Sequence, residues 1–501
     1  MISQLHPRWK YLLSLLAGAI LVFGFAPFNQ VWLVFLSFAW LQWQWRDATA
    51  KSATLHGWLF GLGMQAAGVS WIFVSLHYHG GTPVPFAILM ILLLSMYLAL
   101  YPALAGFLVA RFCKQKAELK LLLLFPAAWA ISEWLQGYVM TGFAWMQPAY
   151  TQIDLPLAGF APVLGAHGVS MLVLLSAGAL VLVFADQAWR QPQRWKTSAG
   201  LVLVIWLTGF GLKQIHWTSP VGEPLSVALV QGNIEQTVKW RREIHDSTLA
   251  LYRDLSLQTK DADLIIWPET AVPDYQHRVP AYLQTLQEEM KQQGSALLLG
   301  IFIKNTETGR YFNTLLNING QAYRKRHLVP LGEYIPLRFL ASFFNRWVDI
   351  PMSDIESGVE RQPLLVAAGQ LLGVSICFED AFSRDVRRDL PAASLLVNVS
   401  NDAWFENSQQ PHQHHAIARM RALESGRYML RATNTGISAV INDQGEAVAV
   451  AAQFKTTVLR ASARPMSGAT PYVRWGDGLV LIFSISALVW AARRSSTDSR
   501  I

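Results

Sequence analysis

Apolar runs separated by short polar connectors fill the first 213 residues, and a mixed pattern of shorter period follows. The runs lie at 11–28, 31–45, 57–76, 86–110, 120–139, 165–186 and 197–213, with one more at 477–492. About 17–25 such residues cross a bilayer as a helix. The pattern therefore predicts a multi-span bundle of eight transmembrane helices, seven before the mixed region and one after it. The first run follows a basic start, as a signal peptide would. However, "FGFAPFNQ" has no clear small-residue cleavage site and a second apolar run follows at once, so a retained helix is expected.

From about Leu225 the chain alternates strand-like and helix-like segments. "LSVALVQGNI", "DADLIIWPET", "SALLLGIFI", "QLLGVSICFED" and "ASLLVNVSNDAWF" read as strands. "RREIHDSTLALYRDLSLQTK", "PAYLQTLQEEMKQQG" and "QHHAIARMRALESGRYMLRATN" read as helices. "YFNTLLNINGQAYRKRHLVP" and "ISAVINDQGEAVAVA" read as hairpins, turning at Asn319-Gly320 and Gln444-Gly445. Such alternation predicts a layered α/β domain, and no internal repeat shows in the sequence. The expected division is 1–213 (transmembrane, seven helices), 214–476 (catalytic domain) and 477–501 (last helix and tail).

Composition supports the split. Of 501 residues, 52% are hydrophobic and only 15% charged, against about a quarter charged in soluble chains. The net charge of +8 could suggest nucleic acid, but the positions of the basic residues explain it otherwise. They cluster as Arg8 and Lys10; Arg46 and Lys51; Arg111, Lys114 and Lys116; Arg190, Arg194 and Lys196; and Arg493, Arg494 and Arg500. The alternate loops 77–85 and 140–164 have no Lys or Arg. Basic residues concentrate in cytoplasmic loops. Both termini are thus expected in the cytoplasm and 214–476 outside it, and nucleic-acid binding is not expected.

Two spans carry polar groups of interest. Glu133 lies within the fifth run, where a carboxyl is either functional or bonded to a neighbouring helix. His77 and His79, in "HYHGGTPVP", are a weak metal signal, and a flexible loop is the simpler reading.

The chain has two cysteines, Cys113 and Cys377. The expected topology puts them on opposite sides of the membrane, so they cannot pair. An unpaired thiol outside the cytoplasm is unusual. It is either a buried inert side chain or a nucleophile, and Glu379 and Asp380 beside it argue against a wholly apolar pocket. Glu269 has a similar setting, closing the apolar "LIIWPE". Sheet edges of this kind collect reactive groups. A thiol nucleophile needs a base and charge stabilisation. The cluster His412, His414 and His415 could serve as base or metal ligand, but it matches no strong zinc spacing and reads better as a polar helix start. Lys325, between Arg324 and Arg326, is either part of a solvated basic run or a fixed cation, with Glu333 in the loop after it. Glu269, Lys325 and Cys377 form a base, cation and nucleophile set, although spacing alone does not bring them together.

An acid after one strand, a lysine in a later hairpin and a cysteine after a third strand resemble the Glu-Lys-Cys triad of the nitrilase superfamily. That resemblance implies an α-β-β-α sandwich. "WPETAVP", "RHLVPLGEYIPL", "PMSDI", "SNDAWF" and "QHHAIARMRALESGRYMLRATNTGISAV" further resemble the apolipoprotein N-acyltransferase family of Gram-negative bacteria, as does the layout of spans. By that resemblance Glu269 is the general base, Lys325 the catalytic lysine and Cys377 the nucleophile. Glu333, Glu379 and Trp240 are supporting residues. Phe378 departs from the tyrosine that often follows the cysteine in this family, so a hydroxyl is lost and an aromatic ring kept.

The family implies acyl transfer from a phospholipid, typically phosphatidylethanolamine, through a cysteine thioester. The acceptor would be the α-amine of an S-diacylglyceryl-cysteine at a lipoprotein N-terminus. The setting would be the inner membrane, with the catalytic domain on the periplasmic side, and no metal or cofactor enters the scheme. A membrane-anchored amidase would fit the triad but gives no reason for eight spans. A transporter with an accessory domain, suggested by Glu133, would keep its activity without Cys377.

Overall fold

The computed structural model describes residues 6–184, 192–330, 332–334 and 355–497. Arg190, Arg500, parts of "RHLVPLGEYIPL" (331 and 335–337) and 351–354 of "PMSDI" lie outside these residues, and the Arg194 side chain is likewise not described. The chain divides into two compact units. One comprises Met1–Ser70, Ile88–Ile215 and Arg474–Ile501; the other comprises Trp71–Ala87 and His216–Val473.

The first unit is helical. Among the described residues, four helices are long and apolar enough to cross a membrane: Val84–Phe112, Pro156–Phe184, Trp195–Lys213 and Gly478–Ser496. The other four expected runs fall on helices Pro7–Ile20, Trp32–Trp45, Ala50–Gly68 and Phe125–Gln136. The first of these tightens into a 3-10 turn at Leu21–Gly24. The third starts seven residues early, capped by the Thr49 hydroxyl, and stops at Gly68, so residues 71–76 of the expected run lie beyond that helix and fold with the second unit. Helices Pro7–Ile20 and Ala50–Gly68 meet backbone to backbone. A Cβ on Gly18 would lie 2.0 Å from the Phe60 carbonyl oxygen, and one on Gly63 2.0 Å from that of Leu15. Small residues permit this close approach where lipid offers no hydrophobic drive.

The second unit contains fourteen described strands: β1 (Ser219–Pro220), β2 (Leu225–Gln231), β3 (Leu264–Ile266), β4 (Ala296–Lys304), β5 (Tyr311–Asn317), β6 (Ala322–Arg324), β7 (Leu365–Ala367), β8 (Gln370–Ile376), β9 (Leu395–Ser400), β10 (Met429–Thr433), β11 (Ala439–Ile441), β12 (Ala447–Val450), β13 (Thr457–Ala463) and β14 (Met466–Ser467). Apart from the short β1–β14 pair, they form two six-stranded sheets, ordered β13-β2-β3-β4-β5-β6 and β7-β8-β9-β10-β11-β12. In each, three central strands are parallel and the flanking pairs antiparallel. The second sheet therefore repeats the strand plan of the first, a repeat the sequence does not display.

Alternation along the strands sets the layers. Leu264, Ile266 and Leu298 of one sheet share a core with Ile376, Val397 and Leu430 of the other. The intervening Ile265, Trp267 and Leu297 turn outward, onto Tyr252 of helix Arg242–Leu257 and Leu286 and Met290 of helix Pro280–Gln293. On the other sheet, Leu396 and Met429 pack under Ala418 and Ala422 of helix Gln410–Ser425. The result is an α-β-β-α sandwich. Strands covered on both faces read as near-continuous apolar runs, which is why "LIIW" and "LLVNV" show little alternation.

One expected element is corrected. The segment 413–434 is not a single helix: it stops at Ser425, Gly426 takes a left-handed φ of 61°, and Met429–Thr433 becomes strand β10. A glycine C-cap followed by chain able to pair with β9 overrides the helical period.

Candidate active site

Trp267 and Pro268 follow β3, and Glu269 comes next at the sheet edge. Gly300 on β4 backs this turn: a Cβ there would sit 2.3 Å from the Pro268 carbonyl oxygen and 2.4 Å from the Thr270 nitrogen. Cys377 follows β8 and opens a 3-10 turn, Cys377–Ala381. Thr270 and Cys377 both take positive φ, 53° in each case. For residues with a Cβ this costs about 1–3 kcal/mol and persists only where the surroundings enforce it.

Lys325 follows β6, its amide donating to the Asn313 carbonyl at 2.8 Å. Its buried Nζ lies 2.8 Å from Glu333 Oε1 and 3.6 Å from Glu269 Oε1. Asn313 Nδ2 donates to Glu269 Oε1 at 2.7 Å and to Glu333 Oε1 at 3.3 Å. The Asn401 amide donates to Glu269 Oε2 at 2.9 Å. Glu333 Oε2 accepts from the Val329 amide at 2.8 Å. Glu269, Lys325, Glu333, Cys377 and Trp240 line one cleft. The cleft's wall also includes Ser75, Leu76, Gly80 and Thr82 from the segment Trp71–Ala87, in the same unit. The predicted residues thus meet.

The electrostatics are specific. Burial, then the Glu269 carboxylate, push the Cys377 thiol well above its usual pKa, against the pull of Lys325. Burial works against the Lys325 ammonium, but Glu333 and Glu269 outweigh it and hold the pKa above the ordinary lysine range. Two carboxylates face one fixed cation. A free thiolate would add a further negative charge, whereas moving the thiol proton to a carboxylate leaves the total unchanged. The surroundings therefore favour the neutral thiol over a resting thiolate.

Glu379 is buried and does not enter the cleft. Its Oε1 accepts from the Arg326 and His327 amides at 2.7 and 2.9 Å, and its Oε2 from the Tyr323 hydroxyl and the Ile376 amide at 2.9 and 2.7 Å. It ties the loop after Lys325 to the turn that carries Cys377. Phe378 packs edge-on against His327 and Phe382, with centroids 5.9 and 5.0 Å away. Trp240 is 43% exposed at the cleft, near Phe302.

The histidine cluster opens helix Gln410–Ser425 as expected, but it is not all solvated. His414 is fully buried, with Nε2 2.8 Å from Asp380 Oδ1 and 3.3 Å from the Cys377 carbonyl oxygen, and Nδ1 3.1 Å from Asp402 Oδ1. Arg431 donates to Asp402 Oδ2 at 2.7 Å. His414 touches the backbone of the cysteine and is no base for its thiol. Burial and Arg431 press its pKa down, but Asp380 and Asp402 push it up to about 9. Among the described residues, no group of three or more His, Cys, Asp or Glu is placed to hold a metal ion.

The sequence alone did not single out Asn313, Lys239, Gly300, Asp402 or Arg431. Asn313 was visible as a polar residue inside an apolar strand; Lys239, beside Trp240, gave no signal of burial.

A glutamate, a lysine and a cysteine at strand ends of an α-β-β-α sandwich define a carbon-nitrogen hydrolase-type domain, and residues 226–472 match the carbon-nitrogen hydrolase family. Residues 17–179 match the apolipoprotein N-acyltransferase N-terminal domain. The apolipoprotein N-acyltransferase of Methylococcus capsulatus is 43% identical over 496 residues, 97% of each chain. That of Nitrosomonas europaea is 42% identical, covering 96% of this chain and 97% of its own. That of Vibrio cholerae is 39% identical, covering 98% and 99%. The chain belongs to the apolipoprotein N-acyltransferase family.

Proposed function

We propose that the cleft transfers a fatty acyl chain from a membrane phospholipid, typically phosphatidylethanolamine, to the α-amine of an S-diacylglyceryl-cysteine at a lipoprotein N-terminus. The observation that carries this is the convergence of the Glu269 carboxylate, the Lys325 ammonium and the Cys377 thiol on one cleft. Glu269 takes the thiol proton as Cys377 attacks the donor ester, and Lys325 with main-chain amides holds the oxyanion. The proton passes to the departing lysophospholipid oxygen, leaving a thioester. The acceptor amine then displaces the thiol. Glu333 fixes Lys325, Glu379 fixes both loops, and Trp240 and Phe378 provide apolar and aromatic contacts. The eight-span bundle, the boundaries 1–213, 214–476 and 477–501, the inner-membrane setting, the periplasmic catalytic domain and the cytoplasmic termini belong to this reading. They are supported by the alternation of basic loops and by the apolar helices.

The test is intact-mass spectrometry of the purified full chain incubated with phosphatidylethanolamine. An acyl adduct is expected, absent in Cys377→Ala, with lysophospholipid released in equal amount. Free fatty acid without an adduct-dependent acceptor product would indicate a hydrolase instead. Absence of any adduct with every phospholipid would overturn the proposal.

A further inference from the structure

Two lysines line the cleft, and their surroundings differ. Lys325 is clamped by two carboxylates. Lys239 is 2% exposed and, among the described residues, has no carboxylate at ion-pair distance; its Nζ donates only to the Glu269 main-chain carbonyl, at 3.3 Å. The titratable groups lining the same cleft are Glu269, Glu333, Lys325 and Cys377. Burial pushes the Lys239 ammonium down to about 8, with Glu269 opposing. Paired groups whose environments push them apart mark an acid–base division of labour.

Proton balance supplies the need. The following step rests on the thioester reading above. In the first half-reaction Glu269 takes the thiol proton and returns it to the leaving oxygen, so no net proton is released. In the second, the acceptor arrives as an ammonium. The C–N bond forms, the C–S bond breaks, and the ammonium nitrogen sheds two protons. One reprotonates the Cys377 sulfur through Glu269. The other must leave, or Glu269 would begin the next cycle already protonated.

We infer that Lys239, as the neutral amine, is the catalytic base that accepts this second proton from the acceptor ammonium and passes it to water at the cleft mouth. Its Nζ is seated on the Glu269 main chain, and both residues line the same cleft. A permanent cation such as Lys325 cannot take this role.

The two half-reactions can be measured apart on the full chain. Acyl-enzyme is first formed with phospholipid, and its mass and rate of appearance test the thioester reading itself. It is then discharged either with a diacylglyceryl-cysteine peptide bearing a free α-amine or with hydroxylamine, which is already neutral at pH 7. Lys239→Met and Lys239→Arg are expected to slow discharge by the peptide on the order of 10²-fold more than they slow acylation near pH 7.5, where a share of Lys239 is neutral and much of the α-amine is still protonated. The deficit should shrink as the pH passes the α-amino pKa of about 8, and hydroxylamine should restore most of the rate. Equal losses with both acceptors, or no selective loss with either variant, would overturn the inference. Failure of wild-type chain to form acyl-enzyme would instead sink the thioester reading.

Discussion

At the residue scale, the groups behind the nucleophile matter as much as those beside it. Asp380, Asp402, His414 and Arg431 form a buried set of two acids and two bases, neutral when His414 is protonated. The His414 pKa rises from the unfolded value of 6.5 to about 9. Its contribution is therefore fully present below pH 6.5 and is lost as pH climbs through 9; a shift of this size corresponds to roughly 3 kcal/mol. Burial works against the Asp402 carboxylate, but His414 and Arg431 hold its pKa below the usual carboxylate range. The stability it contributes is lost at the acid end. Thermal unfolding of the full chain is thus expected to be most resistant near pH 5–6.5 and to weaken toward pH 9, with the alkaline slope removed in His414→Gln. A wild-type midpoint that stayed level from pH 6.5 to 9 would contradict this. Glu269 and Cys377 stand out in the sequence because each closes an apolar run, and Lys325 because it closes an apparent strand. The sequence hid His414, because a helix rich in Gln, His and Arg reads as solvated. Its polar side chains are buried because they satisfy one another.

At the element scale, the placement of Glu269 depends on what its neighbouring strand lacks. Gly300 has ordinary backbone angles, so its requirement is space and not conformational freedom. Gly300→Ala is expected to push the Pro268–Thr270 backbone outward. Acyl-enzyme formation should slow at least tenfold, since a misplacement near 1 Å can cost about 10²-fold, while the circular dichroism of the folded chain is kept. An unchanged acylation rate would show that the turn can yield. Most strands were legible from their apolar runs. Five strands were not, β1 and β14 having only two residues each. β13 is half-exposed at a sheet edge, β10 was absorbed into a helix ended by Gly426, and β7 has only three residues. Length and edge exposure weaken the periodic signal.

At the scale of the whole molecule, the catalytic unit is not contiguous in sequence. Trp71–Ala87 folds with His216–Val473. Trp71 Nε1 donates to Gln413 Oε1 at 3.2 Å, Trp71 meets Phe405 edge-on with centroids 4.8 Å apart, and His79 Nε2 lies 3.2 Å from Glu406 Oε1. A fragment limited to 216–473 would lose one wall of its cleft. Produced alone, it is expected to give little or no acyl-enzyme by mass spectrometry and to unfold at lower temperature than the full chain. Adduct formation at the full-chain rate would show that the segment is dispensable. No local pattern in "HYHGGTPVP" reveals this, because the partners are more than 300 residues away in the chain. The doubled sheet plan was hidden for a similar reason: the halves share strand order, not letters.

The two matching sheets have a mechanical consequence. Glu269 hangs from one plate and Cys377 from the other, with a hydrocarbon layer between. Packed sheets stand about 10 Å apart, and that gap acts as a spacer gauge for the reacting groups. Leu298, Val397 and Leu430 are thus shims. In the proposed mechanism, a methylene gained or lost among them would alter how far a proton must travel, without any polar residue being changed. Drift in catalytic rate between related chains can then originate in the least chemical part of the molecule.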